Sequence, residues 1–221
     1  KSGLLAMLAA ALAGVPVRVH CFTGQVWATR RGFGRWFLKN MDRLLAACAT
    51  HLLADSLSQR DFLIRERVAQ PDQISVLGHG SVCGVDTVRF CADPIRRADI
   101  RKHLNIPDEG VVALYMGRLN RDKGLSELAA AFRLAASRSS NLFLFIVGPD
   151  EEGMKAQIIR TIGEAAARVR FVGFTTEPEA YMAAADFFVL PSYREGFGST
   201  VIEAAACCIP SIGSRIYGLT D

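Results

Sequence analysis

Short, almost unbroken apolar runs alternate along this chain with longer segments whose apolar positions recur at three- and four-residue spacing. The runs His51–Ala54, Val111–Met116, Leu142–Val147 and Phe187–Leu190 carry no polar alternation, as in strands covered on both faces. The spacing predicts further strands at Val17–Phe22, Ile74–Leu77 and Val169–Val172. It predicts helices near Gly3–Gly14, Gly34–Ala49, Ser56–Val68, Pro94–Leu104, Leu125–Ser137, Glu151–Ala167 and Glu177–Ala185, with another from Ser199. Ser56 is a natural N-cap, because its hydroxyl can accept from a free N–H of the first turn. Strands that alternate with helices are the pattern of parallel βαβ units, so the class is α/β.

The segment from Gly78 to Phe90 is rich in glycine and lacks either period. It reads as a connection between domains, dividing the chain into residues 1–88 and 89–221. With 221 residues, half of them hydrophobic, the chain can bury a substantial core. Mixed charge, no low-complexity run and no solenoid repeat exclude a disordered or repeat protein. Residues 3–14 have the composition of a signal-peptide core, yet Pro16 and the strand start after it favour a buried helix, too short to span a bilayer. Six cysteines without CxxC spacing suit reduced thiols rather than disulfides or a zinc site.

Charge is uneven. The net value of +4 divides into +5 over residues 1–90 and −1 over residues 91–221. The basic half includes Trp27, Arg30, Arg31, Phe33, Arg35, Trp36, Phe37 and Lys39, a basic and aromatic stretch that fits either an anionic membrane surface or a solvated helix face with core aromatics.

The chemistry concentrates after two strands. Phe187–Leu190 runs into Pro191-Ser-Tyr-Arg-Glu-Gly-Phe-Gly198, and a helical pattern begins at Ser199. A strand, a glycine turn and a helix N-terminus together offer free N–H groups to an anion. Glu195 stands in the turn; Glu203 stands in the helix among Val201, Ile202 and three alanines, where a carboxylate needs a specific partner. Carboxylates accept from the hydroxyls of a sugar or ribose. Arg118 and Lys123 lie in the turn after Val111–Met116, and turns after parallel strands share one sheet edge. Two cations and a helix N-terminus would stabilise a departing nucleoside diphosphate.

Gly117-Arg118…Lys123-Gly124 and Glu195-Gly-Phe-Gly198…Glu203-Ala204 resemble the donor domain of retaining glycosyltransferases of family 4, and Gly80-Ser81…Gly84-Val85-Asp86…Arg89-Phe90 resembles the subgroup that builds capsular polysaccharide and O-antigen. The resemblance implies the GT-B fold: two Rossmann-like domains with parallel sheets facing a cleft, an acceptor side at 1–88 and a nucleotide-sugar side at 89–221. It implies a cytoplasmic enzyme, placed peripherally on the inner face of the plasma membrane, that moves a hexose or N-acetylhexosamine from a UDP-sugar to a lipid-linked saccharide with retention. By it, Arg118 and Lys123 bind the diphosphate, Glu195 holds sugar hydroxyls and Glu203 the ribose. Gly196, Phe197, Gly198, Ser199 and Thr200 contact sugar and phosphate through backbone, and Val172, Gly173 and Phe174 lie against the base. No cofactor and no metal is expected, and no DxD-like element is present.

His20 and Gly24 stand where related enzymes carry a His-x-x-His-Gly type element, with Thr23 replacing the second histidine. His20 thus reads either as a catalytic residue or as an interior histidine at a strand end. Against the family's plan the chain reads as truncated at both ends, with both domains incomplete and an apolar sheet edge exposed in the first. The competing functions are a nucleotide-sugar epimerase, a sugar phosphorylase, which would need a pyridoxal-binding lysine, and a non-catalytic nucleotide-sugar-binding subunit. Nucleic-acid binding is disfavoured, because the half with the phosphate motif is near neutral.

Overall fold

A computed structural model describes residues 2–221. The chain forms two compact units. The first takes the chain up to Gly84 together with Arg194–Gly198 and Arg215–Asp221; the second takes Val85–Tyr193 and Ser199–Ser214. The passage between them after Gly84 falls in the glycine-rich connection, while the two later segments of the first unit come from far along the chain.

In the first unit, β1 (Val19–Phe22), β2 (His51–Ala54) and β3 (Ile74–Val76) form a parallel sheet in that order. Helices α1 (Ser2–Leu12), α2 (Gly32–Cys48) and α3 (Leu57–Arg65) accompany it. Phe22, Leu45, Leu52, Leu63 and Ile74 supply the core. The Ser56 hydroxyl caps α3 by accepting from the Gln59 N–H at 3.1 Å. This helix stops short of Val68, because Arg67 turns to a positive φ of 56°. The expectation of a buried first helix is corrected: α1 packs Leu4, Met7 and Leu8 toward the core and leaves Leu5 and Leu12 in solvent, since α2 covers only one of its faces. The edge strand β1 exposes Val19, preceded by an exposed Val17.

The basic and aromatic stretch also divides. Trp27 is 1 % exposed and donates its indole N–H to Asp42 at 2.7 Å. Arg35 and Lys39 lie over its ring and pair with Glu66 at 2.8 and 2.5 Å. Burial alone would raise the Glu66 carboxyl, but these two cations hold it below its ordinary value. Trp27, Arg35 and Lys39 are therefore structural; Arg30, Arg31, Phe33, Trp36 and Phe37 are what this stretch presents to solvent.

In the second unit, β4 (Val111–Met116), β5 (Leu142–Val147), β6 (Val169–Gly173), β7 (Phe187–Leu190) and β8 (Ser211–Gly213) form a parallel sheet in the order β6-β5-β4-β7-β8. Right-handed crossovers put α5 (Leu125–Ala136) and α6 (Met154–Ile162) on one face, and α7 (Pro178–Ala184) and α8 (Ser199–Ala206) on the other. Helix α4 (Pro94–His103) packs on α7. Pro94 opens α4, and the Asp93 carboxylate caps it by accepting from Ile95 and Arg96 at 3.0 Å.

Two differences from the periodicity have local causes. Gly163, at φ 68°, ends α6 and turns residues Gly163–Arg168 into a 3-10 helix, where a single helix to Ala167 was expected. Strand β8 was not expected at all: its one large apolar residue, Ile212, faces solvent, and only pairing with β7 defines it.

Leu114, fully buried mid-strand in β4, anchors this sheet. Leu114→Ala is expected to cost about 2–5 kcal/mol in urea unfolding, the range for deleting a buried leucine side chain.

Candidate functional site

The strand order of the second unit reverses between β4 and β7, so the turns that follow these two strands meet at the carboxyl edge of the sheet. That is the position at which open α/β sheets bind ligands. The turn after β4 carries Arg118, then a 3-10 helix of Arg121–Lys123 that Gly124 closes at φ 69°. A Cβ on Gly124 would sit 2.1 Å from the Pro191 carbonyl oxygen, so the two turns touch backbone to backbone. The Tyr193 N–H donates to the Asp122 carbonyl at 2.9 Å, and its hydroxyl donates to Glu127 at 2.6 Å.

Arg118 and Lys123 share this edge with the free N-terminus of α8 at Ser199 and Thr200. The Arg118 guanidinium reaches Glu151 at 3.3 Å, an exposed pair whose release costs about 0–1 kcal/mol. Glu203 is half-buried one turn into α8. Burial raises its carboxyl above the ordinary value, with the Arg89 charge acting in the opposite direction. Val172 and Gly173 end β6 at the same edge, and Phe174 beyond them is 76 % exposed. Ser192 and Asn120 lie in the two touching turns, and the Ser192 hydroxyl and the Asn120 side-chain oxygen are buried without a protein partner.

The other predicted residues belong to the first unit. Glu195, Gly196, Phe197 and Gly198 group with it, as do His20 and Gly24. Gly24 lies against the backbone of Glu195 and Gly196. The Arg194 guanidinium donates to its carbonyl at 3.3 Å. A Cβ on Gly196 would fall 2.8 Å from an Asp55 carboxylate oxygen and 2.9 Å from the Gly24 nitrogen, so only glycine fits there. The Gly198 N–H donates to the Gly218 carbonyl at 2.9 Å.

Asp55, Cys21 and Gln59 of the first unit escaped the sequence reading. Asp55 follows β2, and burial raises its carboxyl. Cys21 contacts it at 3.5 Å, and burial with that neighbour pushes the thiol to about 11. The fully buried Gln59 fixes the pair of turns: its amide oxygen accepts from the Asp55 N–H at 2.7 Å and its NH2 donates to the Thr23 carbonyl. The only local signal was an aspartate directly after a strand and before an N-cap serine.

His20 lies in β1, with its ring edge-on to Phe22 at 4.9 Å, and burial lowers its pKa, which favours the neutral imidazole. It lines a cavity of about 460 Å³ with Thr23, Gly24, Arg30 and Asp42. Among the described residues, no three His, Cys, Asp or Glu side chains are grouped to hold a metal ion, and no helix is long and apolar enough to cross a membrane.

Residues 96–221 match the sequence model of the family described as Glycosyl transferases group 1. The capsular polysaccharide biosynthesis glycosyltransferase CapM of Staphylococcus aureus is 30 % identical over 222 residues, covering all of this chain and 58 % of that protein. The UDP-Gal:alpha-D-GlcNAc-diphosphoundecaprenol alpha-1,3-galactosyltransferase of Escherichia coli is 30 % identical over 225 residues, 99 % of this chain and 56 % of its own length. The chain thus spans less than three fifths of these relatives. The crystal structure of Anabaena Alr3699/HepE with UDP and glucose superposes with a TM-score of 0.79 at 21 % identity, over 99 % of this chain and 58 % of the other. At that identity the likeness bears on the fold alone, which is GT-B.

The contact of the two turns sets a stability test. Gly124→Ala must displace Pro191 and hold a left-handed alanine, so it is expected to lose at least the about 1–3 kcal/mol of an overpacked site in urea unfolding. An unchanged midpoint would mean that the turns do not depend on this contact.

Proposed function

We infer the function from one premise: the chain belongs to the group 1 glycosyl transferases. We propose that it serves the transfer of a hexose or N-acetylhexosamine from a UDP-sugar to a lipid-linked saccharide, with retention of configuration and without a divalent metal. One observation carries the reading: two basic residues, a helix N-terminus and a half-buried carboxylate share the switch point of the five-stranded sheet.

In this reading the diphosphate lies on Arg118, Lys123 and the first N–H groups of α8. These positive groups take up the charge that grows as the bond from C1 of the sugar to the phosphate oxygen breaks. Glu203 accepts from the ribose hydroxyls. Val172, Gly173 and Phe174 meet the base, and Glu195 accepts from hydroxyls of the transferred sugar. The acceptor oxygen forms the new bond to C1 on the face the phosphate leaves, and its proton passes to the departing phosphate. His20, with Gly24, is the acceptor-side group, neutral and able to accept a hydrogen bond.

The donor and acceptor classes draw support from the relatives: one is named for UDP-Gal and a diphosphoundecaprenol-linked acceptor, and a solved neighbour holds UDP. Calorimetric titration of the chain with UDP in the presence of EDTA tests the reading. Binding is expected, with a loss of at least about tenfold in Arg118→Ala, the range for losing one charge-assisted contact, and a similar loss in Glu203→Ala. Undiminished affinity in both variants would remove the assignment.

The exposed set Arg30, Arg31, Phe33, Trp36 and Phe37 supports a peripheral seat on an anionic membrane at the cytoplasmic face. Phe33 stacks on Trp36 at 5.6 Å and on Phe37 at 6.1 Å, a preassembled aromatic surface beside two cations. Arg30→Glu with Arg31→Glu is expected to abolish co-sedimentation with phosphatidylglycerol vesicles while leaving the unfolding midpoint unchanged. Arg35→Glu, by contrast, breaks the Glu66 pair and lowers the midpoint. Vesicle binding that survives the double replacement would refute the membrane seat.

A further inference from the structure

Arg89 lies in the connection that leads into α4, outside every motif assigned above to the donor. Its guanidinium is nonetheless held at two of its nitrogens. Nε donates to the Glu179 carboxylate at 2.8 Å, and Nη2 donates to the Thr176 carbonyl at 2.7 Å. Glu179 is itself buried in α7 and takes a second arginine, Arg96, at 3.1 Å. A carboxylate so enclosed fixes the guanidinium plane, because bidentate and shared arginine pairs leave little rotational freedom. Thr176 ends the loop that begins at Val172, Gly173 and Phe174, the proposed base contact. One side chain thus joins the buried Glu179 to the loop assigned to the base.

We propose that Arg89 is a positioning residue of the nucleoside subsite: held by the buried Glu179, it fixes the Thr176 end of the base loop. The inference rests on the donor reading given above. Glu179 is matched by both Arg89 and Arg96, so removing Arg89 leaves the Thr176 carbonyl without this donor while Arg96 still answers the carboxylate.

The test separates nucleoside from diphosphate. UDP and inorganic pyrophosphate are titrated by calorimetry into the 221-residue chain, wild type, Arg89→Ala and Arg89→Lys. Arg89→Ala is expected to weaken UDP about tenfold, the range for losing one charge-assisted contact, while pyrophosphate is unaffected. Arg89→Lys, which retains the charge for Glu179 but lacks the second donor arm that reaches the Thr176 carbonyl, recovers only part of the affinity. UDP affinity in both Arg89 variants equal to wild type would overturn the inference and leave the donor reading standing, as would equal losses of UDP and pyrophosphate. A wild-type chain that is folded and binds no UDP would overturn both.

Discussion

The approach of the Gly124 backbone to the Pro191 carbonyl is the constraint on which the carboxyl edge of the second unit's sheet depends. The sheet grows outward from β4 through β5 to β6, then the chain must return to lay β7 on the other side of β4. That return brings two turns of unrelated sequence to one point, and they fit only because one of them has no side chain at the contact and accepts a left-handed backbone. The Tyr193 N–H on the Asp122 carbonyl then closes the pair with a backbone hydrogen bond. The cations of one turn and the helix N-terminus after the other become neighbours through topology, before any ligand is considered.

The first unit solves a similar problem with a side chain. Gln59 is fully buried and would be costly if unsatisfied, yet it accepts from the Asp55 N–H and donates to the Thr23 carbonyl. The turn after β1 and the end of β2 are thereby held at one distance. Gly24 and Gly196 then let backbone lie against backbone and against the Asp55 carboxylate. A buried amide with both ends used acts as a spacer, and a side chain at Gly196, whose Cβ would fall 2.8 Å from the Asp55 carboxylate, would push the turns apart.

What was legible in the sequence follows from the range of the interactions. Strands β2, β4, β5 and β7 carry continuous apolar runs, and their bounds agree with those runs; β4 and β5 are buried on both faces, while β2 and β7 fully bury every second residue. The strand, glycine turn and helix after β7 were legible for the same reason. Strand β8 was not, since its pairing rests on backbone bonds to β7 rather than on side-chain burial. Trp27, Arg35 and Lys39 look like a surface in one dimension; Asp42 and Glu66 turn them inward. Asp55 and Gln59 were missed, and Arg89 was read only as part of the connection motif, because their roles are tertiary. Arg89 meets Thr176 and Glu179 across 87 and 90 residues, and no period carries such information.

The arginines of the second unit separate by how completely the protein uses them, and that difference bears on function. Arg97 and Arg101 grip Asp186 at 2.6 Å each and donate to carbonyls at the end of α7, so moving either would strand a carboxylate and several acceptors. Asp186 is still 31 % exposed, so the set is held by the number of its contacts rather than by exclusion of water. Arg118 has the opposite economy: its one side-chain pair, with Glu151, is 3.3 Å long and open to solvent on both sides. An exposed pair of that kind holds the side chain near the sheet edge and offsets its charge in the empty state, yet opposes its transfer to an anion by no more than about 1 kcal/mol. A diphosphate offers more than one negative oxygen at a helix N-terminus, where the field already favours it. The fixed arginines can therefore hold the architecture while the loosely held one remains available to follow charge as it appears.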